Sequence, residues 1–435
     1  MTERNFLDVR RSLSGRRWIA RLQDERLAQA IAERYELPEI LGRVMAARGV
    51  GLEDAEAFLN PTIRSLMPQP SALKDMEKGA ARLAEAIIAQ TRIGIISDYD
   101  VDGVSSAAIF QLFLRSVGSG AIVHVPDRLT EGYGPSEHAV KLLKEQGCDL
   151  LLTLDCGVLA HDPLAHAAEL GMETIIVDHH QAGEILPEAH AVINPNRQDD
   201  VSGFGYLCAA GVVMILIATV NKLLRAMGWY SAERPEPNML QWLELVALAT
   251  VCDVVPLKGL NRAYVTQGLK IMSRRENLGL AMLSDIARLK RSPDVYALGF
   301  VLGPRLNAAG RIGHADLALE LLTTRDKGRA NQLAQELEQL NRQRQAIEMR
   351  VVDAAALQAE ASLGKEHRSS VIVVTNDNWH PGVVGLAAAR LKERFQLPSF
   401  VLASNPKTGF ASGSGRSIAG VDIGSAVRIA LEAGV

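Results

Sequence analysis

Cysteine is scarce in this 435-residue chain: four residues, at positions 148, 156, 208 and 252, with no CxxC pair among them. That spacing excludes a zinc ribbon and a thioredoxin-like redox motif and leaves buried thiols in a reducing compartment. No secretory apolar core follows the charged first seventeen residues. The most apolar run, residues 207–220, is about 14 residues long and falls short of a membrane span. An excess of positive charge is also missing. Lys and Arg number 47 against 50 Asp and Glu, a net charge of −3, which excludes a histone-like polycation but leaves room for a local basic groove. There is no internal repeat and no low-complexity tract. A cytoplasmic, monomeric, globular protein is expected.

With hydrophobic residues at 48% and charged residues at 22%, a chain of this length buries a large core without structural metals. Any metal is therefore expected to serve chemistry. Residues 1–75 read as a polar, helical N-terminal extension broken by Pro61, Pro68 and Pro70. Then short apolar runs alternate with amphipathic segments: strands at 92–97, 121–126, 149–154 and 173–177, helices at 82–90, 103–117, 136–146 and 159–170. Continuous apolar strands separated by helices predict a parallel sheet covered on both faces. Residues 207–272 turn mostly helical. From 326 to 365 no proline interrupts a helical apolar spacing, which predicts one connecting helix of roughly 55 Å. Strands at 370–375 and 398–403 around a helix at 383–395 make a second, smaller α/β domain. The expected division is 1–75, 76–325, 326–365 and 366–435.

In doubly wound sheets, ligands bind beyond the carboxyl ends of the strands, and acidic residues recur there. The first strand runs into Asp98, Asp100 and Asp102, spaced at alternate positions and closed by Gly103. The third ends at Asp155 and the fourth at Asp178-His179-His180; Asp253 interrupts an apolar stretch, TVCDVVP. Taken singly, each has a plain reading: a solvated acidic turn, a capping histidine pair, a buried carboxylate with a partner. Together they supply the carboxylates and imidazoles that two divalent ions need, and mixed nitrogen and oxygen donors favour Mn²⁺ over Mg²⁺. Asp178 is expected to orient a histidine through its ring N–H.

The stretches DYDVDG (98–103), LDCG (154–157), DHH (178–180) and CDVVPL (252–257) stand in the order of the DHH phosphoesterase family, which the chain resembles. The resemblance implies Asp98, Asp100, Asp102, Asp155, His179, His180 and Asp253 as metal-site residues, with Asp155 and His180 at the centre of the reaction. Further stretches resemble the single-stranded-DNA exonucleases of that family: PDRLTEGYG (126–134), GPRLNAAGR (303–311), WHPGVVG (379–385) and SGSGRS (412–417). Arg128, Arg305 and Arg311 offer forked donors for phosphate oxygens, with Arg305 or Arg311 expected to stabilise charge on the reacting phosphate. HPGVVG opens a helix whose N-terminus favours an anion, and small residues in SGSGRS let backbone N–H groups approach a phosphate. Asn307, His380, Ser412, Ser414 and Arg416 complete the expected phosphate and DNA contacts. Each stretch also reads as a structural turn, a flexible loop or plain helix initiation.

The resemblance implies a parallel-sheet DHH catalytic domain joined by a long helix to a smaller α/β DHH-associated domain. The implied activity is 5′→3′ hydrolysis of single-stranded DNA to 5′-mononucleotides in repair and recombination, with two Mn²⁺ or Mg²⁺ ions. Proteins of this kind continue with a GGHAxAAG-like segment and an OB-type barrel, so a C-terminally shortened chain is expected. A DHH phosphodiesterase acting on short oligonucleotides or cyclic dinucleotides shares the metal motifs and stands as the alternative.

Overall fold

The structure, a computed structural model, describes residues 5–128, 130–364, 369–406 and 409–434, apart from the side chain of residue 432. The expected boundary at 365/366 lies outside the described residues, as do residues 1–4 and 435.

Five parallel strands form the main sheet: β1 (Ile93–Ser97), β2 (Ala121–His124), β3 (Leu150–Leu154), β4 (Glu173–Val177) and β5 (Ala191–Ile193), in the order β2-β1-β3-β4-β5. The runs IGIIS and LLLTL are buried at every position, because helices cover both faces. Helix Met76–Ile88 and the apolar helix Ala209–Ala226 pack together, the second also against Val101–Ser116. Glu137–Glu145 and His161–Glu169 belong with the core of the opposite face, around Ile96, Leu151 and Ile176. Helix Ala209–Ala226 is long and apolar enough to cross a membrane, but 72% of it is buried inside the protein. β5 escaped the sequence reading: three residues, Ala-Val-Ile, are too few to show a period.

The strand order reverses between β1 and β3. The chain leaves β1 for β2 on one side and returns to β3 on the other, which opens a crevice at their carboxyl ends.

The N-terminal helices Glu25–Arg34 and Glu39–Ala47 close a small core of Ile31, Met45, Val50 and Ala55. This extension is tied to the main body where the Arg262 Nε–H donates to the Phe58 carbonyl at 2.7 Å.

The long helix runs Lys327–Leu363, 37 residues, with Asp326 accepting the Arg329 N–H as its N-cap. Its first half (Leu333, Ala334, Leu337) belongs to the main core and its second half (Val351, Ala355, Ala359) to the core of the smaller domain. One helix thus serves as a wall of two cores. The smaller domain has strands β6 (Ile372–Asn376), β7 (Ser399–Asn405) and β8 (Phe410–Arg416), with β6 parallel and β8 antiparallel to β7, and helix Pro381–Phe395 packed on them. The SGSGRS stretch, read from sequence as a loop, lies almost wholly in β8, and RLNAAGR, for which a solvated turn was the plain alternative, lies in helix Gly303–Ile312.

Candidate active site

Three aspartates sit one residue past three neighbouring strands. Each is pinned by extending the parallel ladder one step. The Asp98 N–H donates to Leu154 O (3.2 Å), that of Asp155 to Val177 O (2.9 Å) and that of Asp178 to Ile193 O (3.1 Å). Asp155 takes a left-handed backbone, φ 61°, which turns its carboxylate into the crevice; aspartate tolerates that region better than most residues. Beyond β1, one Asp100 oxygen accepts the N–H groups of Asp102 (2.8 Å) and Gly103 (3.2 Å), capping helix Val101–Ser116. A Cβ on Gly103 would lie 2.4 Å from Asp98 O, so only glycine lets the helix start this close to the strand end.

The spacing that sequence suggested becomes a cluster. Ligand atoms of Asp98, Asp100 and Asp155 lie within 4.8 Å of one another, as do those of Asp155, His179 and His180, and those of Asp102, His179 and Asp253. His179 Nε2 stands 3.2 Å from Asp155, 3.7 Å from Asp102 and 3.8 Å from Asp253. Asp253 comes from the C-cap of helix Leu243–Cys252, which carries it in from outside the sheet.

Carboxylates within such a group repel by roughly 3–4 kcal/mol per pair at an effective dielectric of 20. Burial, then Asp100, pushes Asp98 up to about 8; burial, then Asp102, does the same for Asp253. Asp155 and Asp102 rise as well, chiefly through burial. One oxygen each of Asp98, Asp155 and Asp253 is buried with no hydrogen-bond partner. Orphaned acceptors in one crevice, beside two imidazole rings, are the donor set of a divalent cation site, and the residues fit such ions.

Asp102 differs from its neighbours. Its two oxygens accept the N–H groups of Ala209 (2.6 Å) and Ala210 (2.9 Å), so it anchors the N-terminus of the buried helix while one oxygen still faces His179. Asp178 accepts from His180 Nδ1 at 2.7 Å and from the Val158 and His179 N–H groups. Burial would raise it, but the His180 hydrogen bond and the backbone donors outweigh burial and hold it below the usual carboxylate range. That bond keeps the proton on Nδ1 and leaves Nε2 as the donor atom.

Three supporting residues were missed from sequence. The Tyr133 hydroxyl donates to Asp155 O (3.0 Å) and lies 3.2 Å from His180 Nδ1. Asn194 and Asn196 donate to the carbonyls of His180 (2.9 Å) and His179 (2.5 Å). The signals were present as EGYG and as NPN after β5, but nothing in either pattern says what it touches.

Across the crevice stands helix Pro381–Phe395, with His380 as its N-cap: Nδ1 accepts the Gly382 N–H at 3.0 Å. A Cβ on Gly382 would lie 2.1 Å from Arg311 O, so glycine permits the two bodies to meet there. Arg311 donates to Gly382 O (3.2 Å); burial, then Arg128, lowers its pKa to about 10. Burial and Arg128 also lower His380 and keep it neutral. Arg128 lies over the Tyr99 ring at 5.3 Å. Asn307 and Arg311 line a cleft of about 580 Å³ between the bodies. The Arg305 guanidinium binds Glu338 (2.7 Å) and Val301 O (2.7 Å), fastening helix Gly303–Ile312 to the long helix. In β8, Arg416 turns back onto Ser414 Oγ (2.6 Å) and Gly415 O (2.9 Å) beside helix Pro381–Phe395, while Ser412 is exposed.

The DHH family N-terminal domain matches residues 92–250, and the DHHA1 domain matches residues 368–434. The single-stranded-DNA-specific exonuclease RecJ of Salmonella typhimurium is 38% identical over 406 residues, 90% of this chain and 68% of that protein. The chain belongs to the RecJ branch of the DHH family. RecJ of Bacillus subtilis is 35% identical over 413 residues, 94% of this chain; the chain spans 50% of that relative's length. The crystal structure of RecJ from Thermus thermophilus in complex with Mn²⁺ superposes with a TM-score of 0.78 at 29% identity, covering 94% of this chain and 56% of that one. The RecJ likeness thus spans the sheet, the connecting helix and the smaller domain together, as the α/β expectation required.

Proposed function

We propose that this chain is a divalent-metal-dependent exonuclease that removes 5′-mononucleotides from single-stranded DNA in the cytoplasm, in the service of DNA repair and recombination. The observation that carries the reading is the crevice itself: orphaned carboxylate oxygens of Asp98, Asp155 and Asp253 on one side, Arg311 and the His380-capped helix on the other. The naming of the Salmonella, Bacillus and Thermus relatives supports it, and four free cysteines accord with a reducing compartment.

Asp98, Asp100, Asp155, His179, His180 and Asp253 would hold two Mn²⁺ or Mg²⁺ ions, with Asp102 completing the set beside His179. Such ions, when bound, acidify a water and neutralise charge on the scissile phosphate. The chain's own residues do the rest. Asp178 holds the proton on His180 Nδ1, so the imidazole presents one fixed nitrogen. Tyr133 braces the same ring and the Asp155 backbone. Arg311, with Arg128 near it, places fixed positive charge where a phosphate has to sit. Neutral His380 keeps Nδ1 as an acceptor for its own helix and offers Nε2–H to a phosphate oxygen. Asn307, Ser412, Ser414 and Arg416 extend the polar path along the cleft and β8.

The test is incubation with Mn²⁺ and single-stranded DNA of a few tens of nucleotides, labelled at either end, beside matched duplex and a dinucleotide. Immediate release of labelled mononucleotide from the 5′-labelled strand, stepwise shortening of the 3′-labelled strand and intact duplex are expected. Turnover of the dinucleotide alone would replace this reading with a short-oligonucleotide phosphodiesterase.

A further inference from the structure

Between the carboxylate cluster and helix Gly303–Ile312 the chain forms a π-helical turn, Ala297–Leu302. It is laid against the end of the helix that delivers Asp253: the Cys252 thiol reaches Leu298 O at 3.5 Å. Two aromatic rings project from this turn, Tyr296 and Phe300, stacked with centroids 5.0 Å apart and planes 25° from parallel. They are 66% and 70% exposed. Large rings are ordinarily drawn into cores, and a stacked pair left in water is an apolar surface awaiting a flat partner.

The surroundings say what kind of partner. Phe300 lines the cleft of about 580 Å³ together with Cys252, next to Asp253, and Arg311. Arg344 and Arg390 line the same cleft from the long helix and from helix Pro381–Phe395. Arg344 is only 8% exposed, and its Nε–H is buried with no hydrogen-bond partner, although the guanidinium also binds Glu348 and Asn341. The cleft therefore pairs flat apolar faces with guanidinium groups, one of them short of an acceptor. A ligand of alternating anionic and flat aromatic units matches both, and a single-stranded nucleic acid is such a ligand. Glu348, which also lines the cleft, already pairs with Arg344 and Arg390, so the group an apolar peptide would leave unanswered is the buried Arg344 Nε–H.

We propose that Tyr296 and Phe300 are a stacking platform that takes a nucleobase of the entering strand, making grip depend on bases as well as on phosphates. This rests on the single-stranded-DNA reading above. The platform acts as a positioning element, because neither ring touches the carboxylate cluster.

The experiment compares the full chain with Phe300→Ala, Tyr296→Ala and Phe300→Tyr on 5′-phosphorylated single strands carrying one abasic site at successive positions. Binding is read by fluorescence anisotropy without metal, and degradation separately with Mn²⁺. The wild type is expected to lose affinity at one abasic position. Phe300→Ala should bind the intact strand roughly five- to hundred-fold more weakly and should no longer sense that abasic site. Its kcat on saturating DNA and its melting temperature should stay near wild type, since the ring is exposed, and Phe300→Tyr should retain base sensitivity. A wild type indifferent to abasic sites, or a Phe300→Ala protein that still senses them, overturns the platform even if the exonuclease is active. Base-dependent binding with no degradation of any single strand would keep the platform and overturn the exonuclease.

Discussion

The two walls of the crevice are built in opposite ways. The β1–β3 wall holds its chemistry on strand ends inside a five-stranded sheet, and Asp98, Asp102, Asp155 and Asp178 are all buried. The facing wall rests on a three-stranded sheet whose last strand, β8, is exposed along much of its length. Negative charge must be held against its own repulsion, so the first wall needs a rigid, desolvated frame with a hydrogen bond at each backbone step. Positive charge that meets a mobile phosphate chain needs reach instead, and Arg416 and Ser412 on an edge strand have it. Substitutions should therefore cost far more on the first wall than on the second.

The largest effect belongs to Asp155, which shares two of the ligand groups. Asp155→Asn should lower kcat by at least the roughly 10²–10³-fold that follows loss of one central electrostatic contact. It should also remove the stabilisation that Mn²⁺ is expected to give the wild type in thermal melts. A mutant with near-normal metal-dependent turnover would deny Asp155 its central place.

Asp178 comes next, because it acts through His180. Asp178→Asn should weaken Mn²⁺ binding and turnover by roughly 10–100-fold. Titration calorimetry with Mn²⁺ separates this from a phosphate-binding defect, which would leave metal affinity intact.

The same wall should reveal itself without substrate. Asp98 and Asp253 have folded pKa values near 8, far above the usual carboxylate value. Their contribution to stability is complete below the unfolded pKa of about 4 and is lost as pH rises through about 8. The metal-free protein should therefore melt lower at pH 8.5 than at pH 6, and saturating Mn²⁺ should narrow the gap by replacing the protons. A melting temperature that does not change with pH between 6 and 8.5 in chelator would mean that the carboxylates are not crowded as described.

Legibility in the sequence followed the same division. The main sheet could be read because β1, β3 and β4 are continuous apolar runs ending in Asp, and the topology then forces those ends together. Asp253 was recognisable as a carboxylate in an apolar segment, although only the fold shows it arriving on a helix C-cap. The arginines were harder. Arg305 and Arg311 share one motif, yet their Cα atoms stand six positions apart on a helix and their side chains part company: Arg305 finds Glu338, Arg311 finds Gly382 O. Nothing local distinguishes them, because Glu338 and Gly382 are brought in by tertiary packing. SGSGRS looked like a loop because its glycines suit one; they are strand residues because Gly413 and Gly415 leave room for Leu402 and Phe400 of β7.

The smallest effect is expected at Arg416. Its guanidinium is held by Ser414 Oγ and Gly415 O in an exposed strand, with water competing for every contact it makes. Exposed charge contacts of this kind are worth about 1 kcal/mol at most, so Arg416→Ala should raise KM for single-stranded DNA by no more than about fivefold and leave kcat alone. Arg311→Lys keeps the buried charge but loses the fork, and should cost more. If Arg416→Ala instead abolished turnover as Asp155→Asn does, β8 would be a preorganised phosphate seat, and the contrast between a rigid wall and a reaching one would fail at the point where it is most exposed.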